Sequence, residues 1–223
     1  MPSSITFRSK KEFVYGALRE QILSGELAPN TRLIIDELSR GMNVSAIPVR
    51  EALQQLQSEG LVQIEPYVGA RVADIHQGLI EEIFGLLEAF EVVSGRAAAT
   101  RMTPDHFAQL EQLVRRMDDE VGDPELWSQS NIELHRFICE CVNMQLIKTQ
   151  LTLVVEHWNR LRRYYLDDVF STRIHFAQQE HWRLLDALRT GDPDHVAQVI
   201  QEHNRQALAS YLKYLDSQNH AME

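Results

Sequence analysis

Four side chains with metal-binding chemistry lie in the second half of the sequence. Asn131 and His135 are four residues apart, a spacing that places both side chains on one face of a helix. His181 and His203 follow in two later helical segments, 46 and 22 residues further on. Imidazole nitrogens are common ligands of zinc and nickel, so three helices could surround one ion. The chain has nine histidines, however, and such triples also arise from core histidines that only form hydrogen bonds.

A second group of polar residues lies on a helix that the pattern predicts at residues 44–62. Ser45 could cap its N-terminus through the side-chain hydroxyl, Pro48 fits within the first turn, and Gly60 ends it. Val49, Leu53 and Leu56 form an apolar stripe on this helix. Arg50, Gln54 and Gln57 form a polar face. This division predicts a helix with one buried face and one exposed face.

The segments around this helix predict a small DNA-binding fold. A shorter helical run at residues 34–42 precedes it, and Asn43 lies between the two, where a tight turn needs a residue that tolerates positive φ. Two helices joined by a short turn are the helix-turn-helix signature. A first helix at residues 10–24 precedes both, and two β-prone runs, LVQIE and ARVAD, flank a turn at residues 66–69. Residues 1–75 are therefore predicted to form a winged helix-turn-helix domain.

The rest of the chain, residues 76–223, carries helical patterns without strand signals. Recognisable stop or cap residues separate the successive amphipathic runs. These runs cover residues 76–102, 104–121, 124–142, 145–169, 173–190 and 193–217. The sequence predicts an all-α bundle of about six helices here, and a mainly α fold class for the whole chain.

Charge and cysteine content limit the cellular setting. The net charge is −10, but residues 1–77 hold eight Lys/Arg against nine Asp/Glu, so 8 − 9 = −1, and the remainder accounts for −9. A DNA-binding first domain must therefore use a local basic patch. Cys139 and Cys141 are two apart in a helical pattern and cannot easily pair, which favours a reducing compartment. Without a membrane-length apolar run or a secretory block, we expect a cytoplasmic protein and no membrane partner.

The N-terminal domain resembles the DNA-binding domain of GntR-type transcriptional regulators. The matching blocks are ILSG at residues 22–25, PVREAL at residues 48–53 and EGLV at residues 59–62, within a run of about sixty residues. The helical remainder resembles the FCD ligand-binding domain of the FadR-type subfamily. The resemblance implies a ligand-responsive regulator and not an enzyme. Such a regulator acts as a homodimer on palindromic double-stranded DNA and senses a small organic acid.

The same resemblance supports the metal interpretation. The metal-binding FCD pattern places an Asp at the position of Asn131 and histidines at the three other positions. The neutral carboxamide is a weaker ligand than a carboxylate, so we expect lower metal affinity and a more positive site. The implied cofactor is a divalent ion, zinc or nickel, with open positions for a small carboxylate effector.

The residues that would hold the carboxylate are less clear from the sequence. The subfamily often carries an arginine on the first bundle helix where this chain has Leu87. Other candidates are Arg136, Arg162 and Arg183, for which a solvated helix face is an equally good interpretation. Aromatic residues such as Trp158 and Phe170 could line a ligand cavity or belong to an ordinary core.

The candidate DNA contacts are Ser45, Ile47, Arg50, Gln54, Gly69 and Arg71. Arg50 is the strongest because its guanidinium offers a fork of donors to phosphate or guanine. Its alternative is a surface ion pair with Glu51 or Glu26. Relative to the family pattern, Ala46 replaces a basic residue and Ile47 replaces a common Thr, so a hydrogen bond to a base or phosphate is expected to be missing there.

Two other functions are compatible with parts of this pattern. A metal-dependent hydrolase could use the three histidines to hold a zinc-activated water, but no Glu is clearly placed as a general base. A non-sensing dimeric DNA-binding protein would use the bundle only for dimerisation. The latter differs from a sensor because no ligand would change its affinity for DNA.

Overall fold

A computed structural model describes the backbone of residues 9–221 and the side chains of these residues except 166, 167 and 219–221. The chain divides into two compact units, Met1–Ile75 and His76–Glu223. In the described residues, the strands belong to the first unit and the second unit contains only helical elements. The prediction of a mainly α chain, with a winged helix-turn-helix followed by an all-helical part, is confirmed.

The first unit combines three helices with a small antiparallel sheet. Its central strand is β3, with β1 on one side and β2 on the other. The elements are α1 (Lys10–Ser24), β1 (Arg32–Leu33), α2 (Ile35–Gly41), α3 (Ala46–Ser58), β2 (Val62–Glu65) and β3 (Gly69–Val72). The sequence predicted a two-stranded wing. The third strand, β1, was missed because two residues are too short to show the period-two pattern that identifies a strand.

One apolar core holds the first unit together. Its helical contribution comes from one face of α1 and one face of α3, and the strands close it from the other side. The fully or nearly fully buried side chains are Val14, Leu18, Ile22, Leu33, Val49, Ala52, Leu53, Leu56, Leu61, Val62 and Val72. The apolar stripe predicted for α3 therefore faces this core, and the opposite face of α3 remains exposed.

The turn before α3 has the predicted backbone conformation. Asn43 has a φ of 52° and Gly60, after the helix, has a φ of 73°. Ser45 occupies the N-cap position, but its side chain accepts no capping hydrogen bond within this described helix. The predicted cap is therefore wrong in its chemistry, although it is right in its position, and the Ser45 hydroxyl remains available to other partners.

The second unit contains six α-helices among the described residues. They are α4 (Gln77–Arg101), α5 (Pro104–Glu120), α6 (Pro124–Cys141), α7 (Gln145–Tyr164), α8 (Ser171–Thr190) and α9 (Pro193–Ala221). Side-chain caps mark several starts, including Thr103 before α5 and Asp123 before α6. Within the described part of the chain, none of the helices combines the length and the apolar character needed to cross a membrane.

The predicted helix at residues 145–169 is interrupted. The α-helix ends at Tyr164, and a π-helical turn occupies Leu166–Phe170 before α8 begins. The amide of Phe170 donates a hydrogen bond of 3.1 Å to the carbonyl of Tyr165, five residues earlier. A π-turn rotates the following side chains relative to a regular helix, which the periodic pattern of the sequence cannot reveal. It brings Val169 and Phe170 into the wall of an interior cavity.

Helices α4 and α9 approach each other closely at Gly95. A Cβ atom at this position would lie 2.3 Å from the Cδ1 atom of Ile200 and 3.1 Å from a methyl carbon of Val196. A glycine is therefore required here by the space between the helices, and not by an unusual backbone angle.

The Gly95→Ala substitution should lower the free energy of unfolding by about 1–3 kcal/mol, because the added methyl group overpacks the contact. The double variant with Ile200→Val removes the Cδ1 atom, so its loss should be smaller than the sum of the two single losses. Chemical denaturation at fixed protein concentration measures these differences. Gly85→Ala is the matched control on the same helix. No atom lies within 4 Å of its new Cβ, and it should be neutral or stabilising.

Candidate functional site

The three predicted histidines meet inside the second unit. His135 lies on α6, His181 on α8 and His203 on α9, and one ring nitrogen from each lies within 4.8 Å of the others. His135 and His181 are buried, and His203 is partly buried. The structure therefore brings together three side chains that are widely separated in sequence, at a separation that one metal ion could span.

Two of these rings are oriented by buried carboxylates. The Nδ1 atom of His135 lies 3.0 Å from Oε1 of Glu91, and Nδ1 of His203 lies 2.7 Å from Oε2 of Glu180. A carboxylate at Nδ1 favours the tautomer whose proton is on that nitrogen, which leaves the lone pair on Nε2 for a metal. This is the arrangement in which a second layer of residues orients metal-binding imidazoles.

The third ring, His181, has no polar partner. Both of its nitrogens are buried without a hydrogen-bond partner in the described residues, and the side chain is 1% exposed. It stacks on Trp127, with ring centroids 5.5 Å apart and an interplanar angle of 19°. Burial lowers the pKa of His181 well below its ordinary value, and the nearby His203 and His135 lower it further. The ring is therefore a neutral imidazole, the form that binds metals.

Asn131 completes the donor set one turn before His135. Its side chain is buried, and the Oδ1 atom has no hydrogen-bond partner among the described residues. An unpartnered buried carbonyl is costly, and a cation removes that cost. Three imidazole nitrogens and one amide oxygen fit a divalent ion such as zinc. The residues present are therefore compatible with the metal that the sequence predicted.

Four further residues of this site were not found from the sequence, namely Glu91, Arg173, Glu180 and Asn204. Glu91 accepts a hydrogen bond of 2.8 Å from Asn204 through Oε2, the oxygen that does not face His135. An Nη2 atom of Arg173 donates to Glu180 at 2.9 Å and to the carbonyl of His203 at 3.1 Å. Glu91 carried one available signal, because it lies inside an otherwise apolar stretch of α4, whereas Arg173 and Glu180 are ordinary charges in an amphipathic helix.

Opposing effects set the ionisation of the two carboxyl groups. Burial alone would raise the pKa of Glu91, but the charge and hydrogen bond of His135 outweigh it, so the pKa is lowered. Burial acts in the same direction on Glu180, and the contacts with His203 and Arg173 lower its pKa overall. Both groups are therefore carboxylates that accept hydrogen bonds from the side chains around them.

A cavity adjoins these polar residues. It offers about 60 Å³ to the centres of water molecules, which is enough for several of them. The polar part of its lining consists of Glu91, Asn131, His135, Arg173, His203 and Asn204. The Nε atom of Arg173 is buried and has no hydrogen-bond partner in the described part of the chain. The cavity therefore joins the imidazoles to a cationic side chain with donor capacity to spare.

The arginines predicted to bind the effector lie elsewhere. In the described residues, none of Arg136, Arg162 and Arg183 lines this cavity. Arg136 is exposed and lines a small recess between α6 and α7, and Arg183 is exposed on α8. This recess shares Ile132, His135 and Val155 with the cavity lining. Arg162 is 1% exposed and donates 2.9 and 3.1 Å hydrogen bonds to Glu125 and Asn159. Its guanidinium also lies over the rings of Trp158 and Phe170, so its visible role is structural.

The predicted DNA-binding residues lie on the exposed side of the first unit. Ser45, Ile47, Arg50 and Gln54 are exposed on or next to α3, and Ile47 is 68% exposed. Arg50 forms no ion pair with any described residue, so the alternative pairing with Glu51 or Glu26 is not observed. The side-chain spacing from Ile47 to Arg50 and Gln54 places all three on one helix face.

The wing contributes an exposed tip. Gly69 begins β3 with a φ of 113°, and Tyr67 before it has a φ of 64°. Arg71 is directed along the wing and donates hydrogen bonds to Gln63 at 2.9 Å and to Glu65 at 2.7 Å. Its charge is thus partly neutralised within the wing, whereas Arg50 is not.

A winged helix-turn-helix unit with an exposed polar recognition face, followed by a helical unit with an interior polar cavity, defines a DNA-binding regulator. Comparison with known families agrees. Residues 10–72 match the family described as "Bacterial regulatory proteins, gntR family". Residues 82–206 match the family described as "FCD domain". The chain belongs to the GntR family of transcriptional regulators, in the FadR-like group that carries an FCD effector-binding domain.

Individual relatives support this assignment. The chain is 29% identical over 198 residues to an HTH-type transcriptional regulator in an unstable DNA locus of Streptomyces ambofaciens, covering 89% of this chain and 83% of that protein. It is 28% identical over 192 residues to the transcriptional repressor RspR of Escherichia coli K12, covering 85% and 83%. The solved structure of E. coli McbR/YncC matches with a TM-score of 0.69 at 22% identity, covering 93% and 100% of the two chains. These proteins are regulators, so the hydrolase alternative is excluded.

The Arg162–Glu125 pair yields a test of its structural role. Glu125→Ala should lower the free energy of unfolding by about 2 kcal/mol, because it leaves a buried guanidinium without its carboxylate. The figure is below that for a fully buried pair because the side chain of Glu125 is 46% exposed. Burial would raise the pKa of Glu125, but the hydrogen bonds from Arg162 and Arg163 lower it overall. The contribution should therefore be present above the ordinary carboxyl pKa and disappear as the pH falls below it.

Denaturation at pH 7 and at pH 3.5 measures this effect. Arg183→Ala is the control, because its side chain is exposed and the change should stay within about 0.5 kcal/mol. Equal losses in both variants would show that Arg162 does not depend on Glu125.

Proposed function

We propose that this GntR-family regulator acts in the cytoplasm as a homodimer on a palindromic operator and responds to a small organic acid bound beside a divalent metal ion. The observation that carries the proposal is the convergence of His135, His181 and His203 on one point, next to a cavity with the free Nε of Arg173. Binding in the helical unit would change the affinity of the winged units for DNA, which is the coupling that defines an allosteric regulator.

The proposed ligands of the ion are the three imidazoles and the Oδ1 atom of Asn131. All four are neutral groups, so the ion's charge would not be cancelled by its immediate ligands. Glu91 and Glu180 would compensate that charge from behind two of the imidazoles. A bound zinc or nickel ion would supply positive charge and open coordination positions for a carboxylate. Arg173 would orient the same carboxylate through its free donor.

Elemental analysis of the purified native protein by mass spectrometry tests the metal proposal. We expect near-stoichiometric zinc or nickel in the native protein and its loss in His181→Ala, because that ring has no other polar partner. His175→Ala is the matched control, since His175 is an exposed histidine on the same helix. Asn131→Asp should retain metal at a chelator concentration that strips the native protein, since a carboxylate binds more strongly. If the native protein and both histidine variants contain equal amounts of metal, or none, the metal proposal fails.

We further propose that the exposed face of α3 enters the major groove. Arg50 would donate to guanine or phosphate, Gln54 would make a polar base contact, and Ser45 would bind phosphate at the helix N-terminus. Ile47 is an exposed apolar side chain where a polar one is common in the family, and it would contact the methyl group of thymine. The wing tip at Gly69 allows the backbone to approach the duplex, with Arg71 behind it.

Arg50→Ala should weaken operator binding by about 5- to 150-fold, the range for loss of one strong arginine contact. Fluorescence anisotropy with a fragment selected from the protein's own promoter region measures the affinity. Arg101→Ala removes an exposed arginine from the helical unit and should leave the affinity nearly unchanged. In a parallel titration, replacing each operator thymine in turn by uracil should weaken binding of the native protein at one position in each half-site, but should have no effect on Ile47→Ala. An equal loss in the Arg50 and Arg101 variants would contradict the interface.

A further inference from the structure

The cavity beside the three histidines has one polar end and an otherwise apolar wall. Beyond the polar residues already described, the lining is formed mainly by aliphatic and aromatic side chains. They include Phe84, Leu87, Trp158, Val169, Phe170 and Ile174. A ligand that fits both parts must have a single polar head and an apolar body.

From this division we infer that the effector is a monocarboxylic acid with an aromatic or branched aliphatic body, and not a polyhydroxylated or polycarboxylic acid. The inference rests on the proposed function, because it assigns a chemical class to the acid sensed at that same site. It extends the proposal from the head group of the ligand to its body.

The polar end has capacity for one carboxylate. The Nη2 atom of Arg173 is already bonded to Glu180 and to the carbonyl of His203, whereas its Nε atom is buried and has no partner among the described residues. Glu91 and Glu180 are buried carboxylates close to the same end. A second carboxylate on the ligand would approach these like charges without a matching cation, which disfavours polycarboxylic acids.

The apolar wall disfavours hydroxyl groups on the body. A hydroxyl that enters such a surface loses its water and gains no hydrogen bond, which reduces affinity. Leu87 is important here, because its aliphatic side chain is buried and forms part of the cavity lining. The rings of Trp158 and Phe170 meet nearly edge to face at 5.7 Å and form part of the same wall. An aromatic ring or a branched chain would gain contact area with all of these side chains.

Tyr211 is a further polar residue in the lining of this cavity. Its side chain is 3% exposed, and its hydroxyl has no hydrogen-bond partner in the described part of the chain. Burial raises the pKa of Tyr211, so the hydroxyl keeps its proton and can donate. On α9, Tyr211 follows His203 by eight residues, about 12 Å along the helix axis. An acid as short as acetate would occupy only the polar end, whereas a ring-sized body would extend toward this hydroxyl.

Isothermal titration calorimetry of the native metal-loaded protein tests the inference with defined acids. Phenylacetate and 4-methylpentanoate should bind at least tenfold more tightly than acetate, citrate or gluconate. 4-Hydroxyphenylacetate should gain affinity over phenylacetate in the native protein and lose that gain in Tyr211→Phe. The effect of each acid on operator binding is measured by anisotropy in parallel.

Two leucine variants separate the apolar wall from general stability. Leu87→Ala should weaken phenylacetate at least fivefold and leave acetate unchanged, since only the larger acid contacts the wall. Leu86→Ala is the matched control, because Leu86 is its neighbour on α4 but is 40% exposed. Metal content and the melting temperature of each variant show whether the fold and the three-histidine site persist. If Leu87→Ala does not fold, the relative affinities of the acids for the native protein and for Tyr211→Phe still test the inference.

The outcomes of these experiments test the chemical class of the acid separately from the proposed function of acid sensing. Tight binding of citrate or gluconate that changes operator affinity, with no preference for apolar acids, would overturn the inference and leave acid sensing intact. Failure of every acid to bind would overturn both. A preference for apolar acids that is lost in Leu87→Ala, and that shifts operator affinity, would support both.

Discussion

Two buried hydrogen bonds between an imidazole and a carboxylate, His135 with Glu91 and His203 with Glu180, are the interactions on which the interior of the helical unit depends. A carboxylate is stable in such a place only when it is paired and hydrogen-bonded, and each of these has more than one donor. The pairs connect α4 to α6 and α8 to α9. Because removal of one partner strands a buried charge, the four helices are restricted to the arrangement in which the imidazoles converge.

The two units differ in how much of their chemistry could be predicted from the sequence. In the first unit the candidate recognition face lies on a single helix, so the spacing of Arg50, Gln54 and Gln57 was enough to predict that they share one exposed face. Asn43 and Gly60 marked the ends because their backbone angles are accessible to few residue types. The short strand β1 was not predicted, because its position depends on pairing with β3, which the local sequence does not encode.

In the second unit the histidines were found, but their setting was not. The sequence indicated which residue types could act together, whereas the contacts of Arg173 and Glu180 with His203 arise only when α8 packs against α9. For Arg162, the sequence suggested a ligand contact, but the structure places the residue outside the cavity lining. It has the charge expected of a ligand contact, but acidic and aromatic side chains contact it, although its Nη1 atom is buried without a hydrogen-bond partner in the described residues. The π-turn was also hidden, because an extra residue in one turn barely disturbs the apolar period on either side.

Helix α9 carries His203 and Tyr211 on one continuous α-helical rod. The rise per residue of an α-helix is nearly invariant, so the separation of the metal-binding end and the phenolic end is fixed by the peptide backbone. The fixed separation of these two residues along the helix would then determine which length of ligand can contact both of them. Substitutions in the walls could change the preferred shape of the molecule that binds, while its preferred length would change only when a residue is inserted into, or deleted from, this helix.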